Sequence, residues 1–141
     1  LRKNLKYRAW PLLARYGGVE DEIKEYDHEA VVVQTIAGLY ATYPSKFDYD
    51  FGISCRMLMK DDEKTADPRD IGPVTRRFQH LISAERDEIC SRVIRMVLLM
   101  KANNIPVNYY ELCCGLLQWS DKIKNRWAGS FWNVPEMEGA S

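Results

Sequence analysis

The chain has 141 residues, 46% of them apolar, with twenty Lys and Arg against twenty Asp and Glu. That apolar share supports a packed core and excludes a disordered chain, and the length fits one compact domain or two small helical lobes. No apolar run approaches the ~20 residues of a membrane span, and the opening residues do not read as a signal peptide, so a cytoplasmic location is expected.

In chain order, Pro11 within the apolar run Trp10, Leu12 and Leu13 fits the first turn of a short helix that stops at Gly17 and Gly18. Asp27 then reads as the N-cap of a strong helix. Val32, Val33, Ile36, Leu39, Tyr40 and Tyr43 recur at three- and four-residue steps until Pro44 ends it. The valines at 31–33 favour a strand locally, but sixteen residues without a turn signal favour a helix. The stretch FGISCRMLMK predicts a helix burying Ile53, Met57 and Leu58. The segment DDEKTADPRDIGP, residues 61–73, is charged, poor in apolar residues and broken by Pro and Gly, and it reads as a linker between two lobes.

Beyond Pro73, Phe78, Leu81 and Ile82 share one stripe. A break near Ser83 starts a second helix carrying Ile89, Val93, Ile94, Val97 and Leu98, which Asn103, Asn104 and Pro106 stop. Asn108-x-x-Glu111 has the form of a capping box for a helix burying Leu112, Cys113, Leu116 and Leu117. Ser120 can cap the last helix, where Ile123, Trp127 and Phe131 fall on one side and Trp132 is the better candidate for exposure. No period-2 alternation is long enough for a strand. The expected fold is all-α: an N-terminal helical lobe (1–60), the charged linker (61–73), a C-terminal helical bundle (74–132) and a tail (133–141).

The zero net charge hides a segregation: +5 in residues 1–19, −7 in 20–70, +4 in 71–132 and −2 in the tail. Electrostatic fields act within a Debye length of about 8–10 Å, so a positive face is compatible with a neutral total. Helix-face arithmetic sets Arg76 and His80 opposite Phe78 with Arg77 beside the stripe. It puts Arg92 and Arg95 on a polar face with Glu88, and Lys122 and Arg126 on one flank of the last helix with Lys124 on the other. Arg86 falls in the first turn of its helix, where the helix dipole disfavours a cation. Such faces neutralise phosphates without reading sequence. The cysteines Cys55, Cys90, Cys113 and Cys114 form no C-x-x-C, and His28 and His80 supply no zinc-like spacing, so buried free thiols and no metal or cofactor are expected. Nor does the chain carry a Gly-rich phosphate loop or a His spaced for a nucleophile, which argues against an enzyme.

Three stretches carry a family likeness: YRAWPLLARYGG; GISCRMLMK; and the long run from VTRRFQHLISAERDEIC through NRWAGSFW. Together they resemble the small subunit of the type I-E CRISPR surveillance complex, Cascade (the CasB family). The likeness covers nearly the whole chain and is most specific over 74–132, in Arg76, Arg77, Phe78, residues 84–87, Leu116, Leu117, Trp119, Arg126, Trp127, Ala128 and Phe131. The resemblance implies an all-α, non-catalytic subunit present in two copies along a backbone of crRNA-binding subunits. It implies basic surfaces that hold nucleic acid, above all DNA strands opened by the guide RNA, in a system where base pairing reads the sequence. Arg56 corresponds to the family's arginine after Gly-x-Ser. Arg76, Arg77, Arg86, Lys122 and Arg126 match basic family positions. Arg92, Arg95, Lys101 and Lys124 rest on helix-face arithmetic alone, and Arg2 and Lys3 look like the end of a basic first helix. The competing reading is a helical interaction module whose cations pair with acids on partner proteins.

Overall fold

The computed structural model describes residues 27–64, 67 and 69–133. These hold seven helices and no strand, as the all-α reading expects: α1 (His28–Thr42), α2 (Phe51–Met57), α3 (Asp61–Lys64), α4 (Pro73–Ile82), α5 (Ile89–Ala102), α6 (Tyr109–Leu117) and α7 (Asp121–Trp132). The short helix expected around Pro11 lies outside the described residues, as do residues 134–141 of the tail.

The helix ends follow local chemistry. The Asp27 carboxylate accepts from the Ala30 N–H at 3.2 Å and starts α1. Pro73 opens α4, whose first free donors go to the linker: the Glu63 carboxylate accepts from the N–H groups of Val74 and Thr75 and from the Thr75 hydroxyl at 3.4, 2.9 and 3.0 Å. Part of the sequence-predicted linker is thus the N-cap of the helix that follows it. Asn104 takes the left-handed conformation at φ 57° and ends α5, while the Ile105 N–H reaches back to the Met100 carbonyl. The capping box at Asn108 is only half made. Asn108 accepts from the Glu111 N–H at 3.0 Å, but the Glu111 carboxylate is used elsewhere. Ser120 stands at the N-cap of α7 without a capping hydrogen bond.

The core is one cluster. It joins Val32, Leu39, Phe51 and Cys55 from before the linker to Phe78, Val93, Val97, Leu112, Leu116, Trp127 and Phe131 after it. Helices α1 and α2 each bury one face, and the apolar surface that covers those faces belongs to α5, α6 and α7. Helix α2 lies so close along α7 that a Cβ on Gly52 would sit 2.3 Å from the Trp127 carbonyl oxygen, so only glycine permits this approach. Trp127 and Phe131 are fully buried, as expected, with Trp127 against both Phe51 and Trp119 and Phe131 stacked on Phe78 at 4.1 Å.

Four apolar side chains placed on inner faces by the sequence are exposed instead. Met57 is exposed and Met59 is buried instead. The end of α2 tightens through three-residue steps, Leu58 N–H to Cys55 and Met59 N–H to Arg56, which swings 58 and 59 inward. On α1 the inward stripe is His28, Val32, Thr35 and Leu39, which leaves Val33 and Tyr40 exposed. Leu117, at the end of α6, is partly exposed. No helix among the described residues is long and apolar enough to cross a membrane.

Candidate nucleic-acid interface

Helix α4 turns Val74, Phe78 and Leu81 inward, and α5 turns Val93, Met96, Val97 and Met100 inward. Between the two runs a groove of about 560 Å³ with an apolar floor of Leu81, Met96, Leu98 and Leu99. Exposed Arg77, His80 and Arg95 flank it. Neither the Arg77 nor the Arg95 side chain has an ion pair or hydrogen bond to another described residue, so both guanidinium groups are available to an anion. Arg92 also lines the groove but is held. Its guanidinium donates to the His80 carbonyl at 2.5 Å and the Ser83 hydroxyl at 3.2 Å, and pairs with Glu88 at 3.0 Å. Its side chain is only 16% exposed. Arg92 therefore fastens α5 to the end of α4 at a carbonyl that it shares with the Ser83 hydroxyl.

The other expected cations divide. Arg76, next to Arg77 in sequence, points about 100° away. It lines a second hollow with Asp62, Glu63, Arg69 and Asp70, where acids surround it. Arg56 is half-buried and donates to the Phe131 carbonyl at 2.8 Å, a carbonyl in the last turn of α7. Arg126 pairs with Glu111 at 2.7 Å. Lys124 is half-buried with its ammonium 5.6 Å from the Trp119 ring centre, a cation–π contact. Arg86 lies in the turn ahead of α5, not in its first turn, so the dipole penalty expected for it does not apply. Arg86, Lys101 and Lys122 are exposed, and their side chains make no bond to another described residue. Arg2 and Lys3 lie outside the described residues. The groove thus gathers Arg77, Arg92 and Arg95, while the cations of α7 take no part in it.

Sequence reading missed the acid that organises this end of the molecule. Glu111 accepts from the Phe51 N–H at 2.8 Å, the Trp127 indole N–H at 2.8 Å and Arg126 at 2.7 Å, and so ties α6 to α2 and α7. A capping-box pattern predicts a local partner for Glu111, and only the fold brings the two distant donors to it. Asp50 acts alike, capping α2 through the Ile53 N–H and accepting from the Ser130 hydroxyl of α7 at 2.6 Å. Burial, helped by the charges of Asp50 and Glu111, raises the pKa of the Cys55 thiol well above the usual thiol value, so it stays neutral and inert. No cluster of three or more His, Cys, Asp or Glu able to hold a metal occurs among the described residues.

Two solved structures share the architecture. CasB from Thermus thermophilus is 21% identical over 81% of this chain and 70% of its own, with a TM-score of 0.59. M. ruber CasB is 22% identical over 92% of this chain and 78% of its own, with a TM-score of 0.66. At such identities the likeness carries the fold. No curated protein matches the chain. The family profile of CRISPR-associated protein Cse2 matches residues 1–132, nearly the full length. The chain therefore belongs to the CRISPR-associated Cse2 family, the CasB small subunits of Cascade that its sequence resembles.

Proposed function

We propose that this chain is a non-catalytic, cytoplasmic small subunit that holds nucleic acid within a type I-E Cascade complex. It grips phosphates of the crRNA and of the opened target DNA, and so stabilises the R-loop in antiviral defence. It docks on the backbone and large subunits and beside a second copy of itself. The observation that carries the reading is the α4–α5 groove, where Arg77 and Arg95 stand exposed and uncommitted on either side. Two guanidinium groups across an open groove neutralise phosphates of either strand type without contacting base edges. The apolar floor supports a second reading, in which the groove seats an apolar segment of a partner subunit.

Salt separates the two. The slope of log K against log salt is about −0.7 per neutralised phosphate on single strands. Replacing Arg77 and Arg95 together by Ala is expected to weaken binding of a single strand and to flatten that slope by about 1.4, with melting unchanged. Arg76→Ala, whose side chain faces the acidic hollow, is expected to change the slope less. A salt-insensitive affinity, or an unchanged slope in the double variant, would favour partner docking instead.

A further inference from the structure

We propose that Trp132 is a stacking platform for an unpaired base of single-stranded nucleic acid, which would make the subunit favour opened strands over phosphates alone. This rests on the phosphate-holding reading and adds a base contact to it. Trp132 is 45% exposed, whereas Trp119 and Trp127 are buried with their indole N–H groups bonded to the Ala84 carbonyl and to Glu111. The Trp132 indole N–H bonds to no described residue.

The ring is also held in place. Phe78 and Phe131 stack nearly parallel at 9°, and Trp132 lies nearly perpendicular to both, at 5.3 and 5.0 Å. Packing against both rings holds the indole in place, and nearly half of its surface stays open to solvent. A fixed ring loses little conformational freedom on binding. Cations flank it. Arg56 donates to the carbonyl of Phe131, the residue bonded to Trp132, and its guanidinium makes no other hydrogen bond to a described residue, so its remaining N–H groups can meet a phosphate. Arg77 adjoins Phe78 in α4 and opens onto the groove. An exposed aromatic face set beside guanidinium groups is the chemistry with which proteins bind single strands irrespective of sequence.

The test compares the full chain on labelled oligothymidine and on an abasic strand of equal length and charge, by fluorescence anisotropy at low salt. The wild type is expected to prefer the thymidine strand by roughly five- to a hundred-fold, the range for one stacked base. Trp132→Ala should remove that preference and leave affinity for the abasic strand unchanged, while Trp132→Phe should keep most of it. Equal wild-type affinity for both strands would overturn the proposal without needing a folded variant. An equal loss on both strands in Trp132→Ala would overturn it too, reducing Trp132 to a cover over Phe78 and Phe131. Failure of the wild type to bind either strand would instead refute the phosphate-holding reading, and this inference with it.

Discussion

Replacing Glu111 removes the acceptor for three donors that differ in burial, so the costs of single variants can be ordered in advance. The Phe51 N–H is one of the free donors at the start of α2, and the Trp127 indole N–H lies in the core. A buried donor left without a partner costs about 1–3 kcal/mol. Glu111→Ala orphans both, which gives about 2–6 kcal/mol, a large part of the ~5–15 kcal/mol that holds a domain folded. Glu111→Gln keeps one acceptor oxygen and sets an amide NH₂ against a donor on the other side, so about 1–3 kcal/mol is expected. Arg126 is 46% exposed, and Arg126→Ala leaves the carboxylate its two N–H donors, so it should cost under about 1 kcal/mol. Urea unfolding followed by tryptophan fluorescence and circular dichroism reads these as midpoint shifts at constant slope. A Glu111→Ala variant within about 1 kcal/mol of wild type, or an Arg126→Ala variant as costly as it, would refute the reasoning.

Glu63→Ala removes the cap of α4 and is expected to cost about 1 kcal/mol. Gly72→Ala places a Cβ 2.4 Å from the Glu63 side chain, which must swing away and lose the same cap, so the double variant should cost little more than either single one. Additive costs in the thermal melts would show that the two positions act separately. Cys55 should resist iodoacetamide in the folded chain and react on unfolding. Because burial raises its folded pKa above the ordinary thiol value of about 9, its contribution to stability is full below about that pH and is lost as pH rises through the folded value. Labelling of native Cys55 at neutral pH would contradict its burial.

The helices were legible because their signals are local. Asp27 caps α1, Pro73 opens α4, Asn104 stops α5, and the step from Ile123 to Trp127 to Phe131 marks the inner face of α7 without reference to the rest of the chain. The roles of the arginines were less legible. Helix-face arithmetic gives the direction of a side chain relative to its own helix. It does not tell whether the end of another helix waits there with a carbonyl. Arg56 and Arg92 both meet such carbonyls, at Phe131 and His80, and Arg126 meets an acid from α6. Sequence spacing likewise set Arg76 opposite Phe78 and Arg77 beside the stripe, but could not tell that acids of residues 62–70 line the hollow at the first while the second opens onto a groove.

Apart from Arg77, most of the residues that make the family recognisable do different work from those that suit a ligand. In the Gly-x-Ser-x-Arg segment, Gly52 admits the backbone of α7, the Ser54 hydroxyl donates to the Pro106 carbonyl at 2.7 Å, and Arg56 donates to the last turn of α7. In Arg-Trp-Ala, Arg126 and Trp127 both bond to Glu111. These motifs lie on the seam where α2, α6 and α7 close the core, so their pattern reports how the fold shuts. Arg95 and Lys101 matched no family motif, yet both side chains are exposed and uncommitted among the described residues. A seam needs fixed shapes and paired atoms, which constrain spacing tightly. A phosphate grip needs only positive charge within hydrogen-bond reach, and many positions on an exposed helix face satisfy that. Variants at the seam should therefore change stability first and binding only as a consequence, whereas variants of the uncommitted Arg77 and Arg95 at the α4–α5 groove should change binding alone.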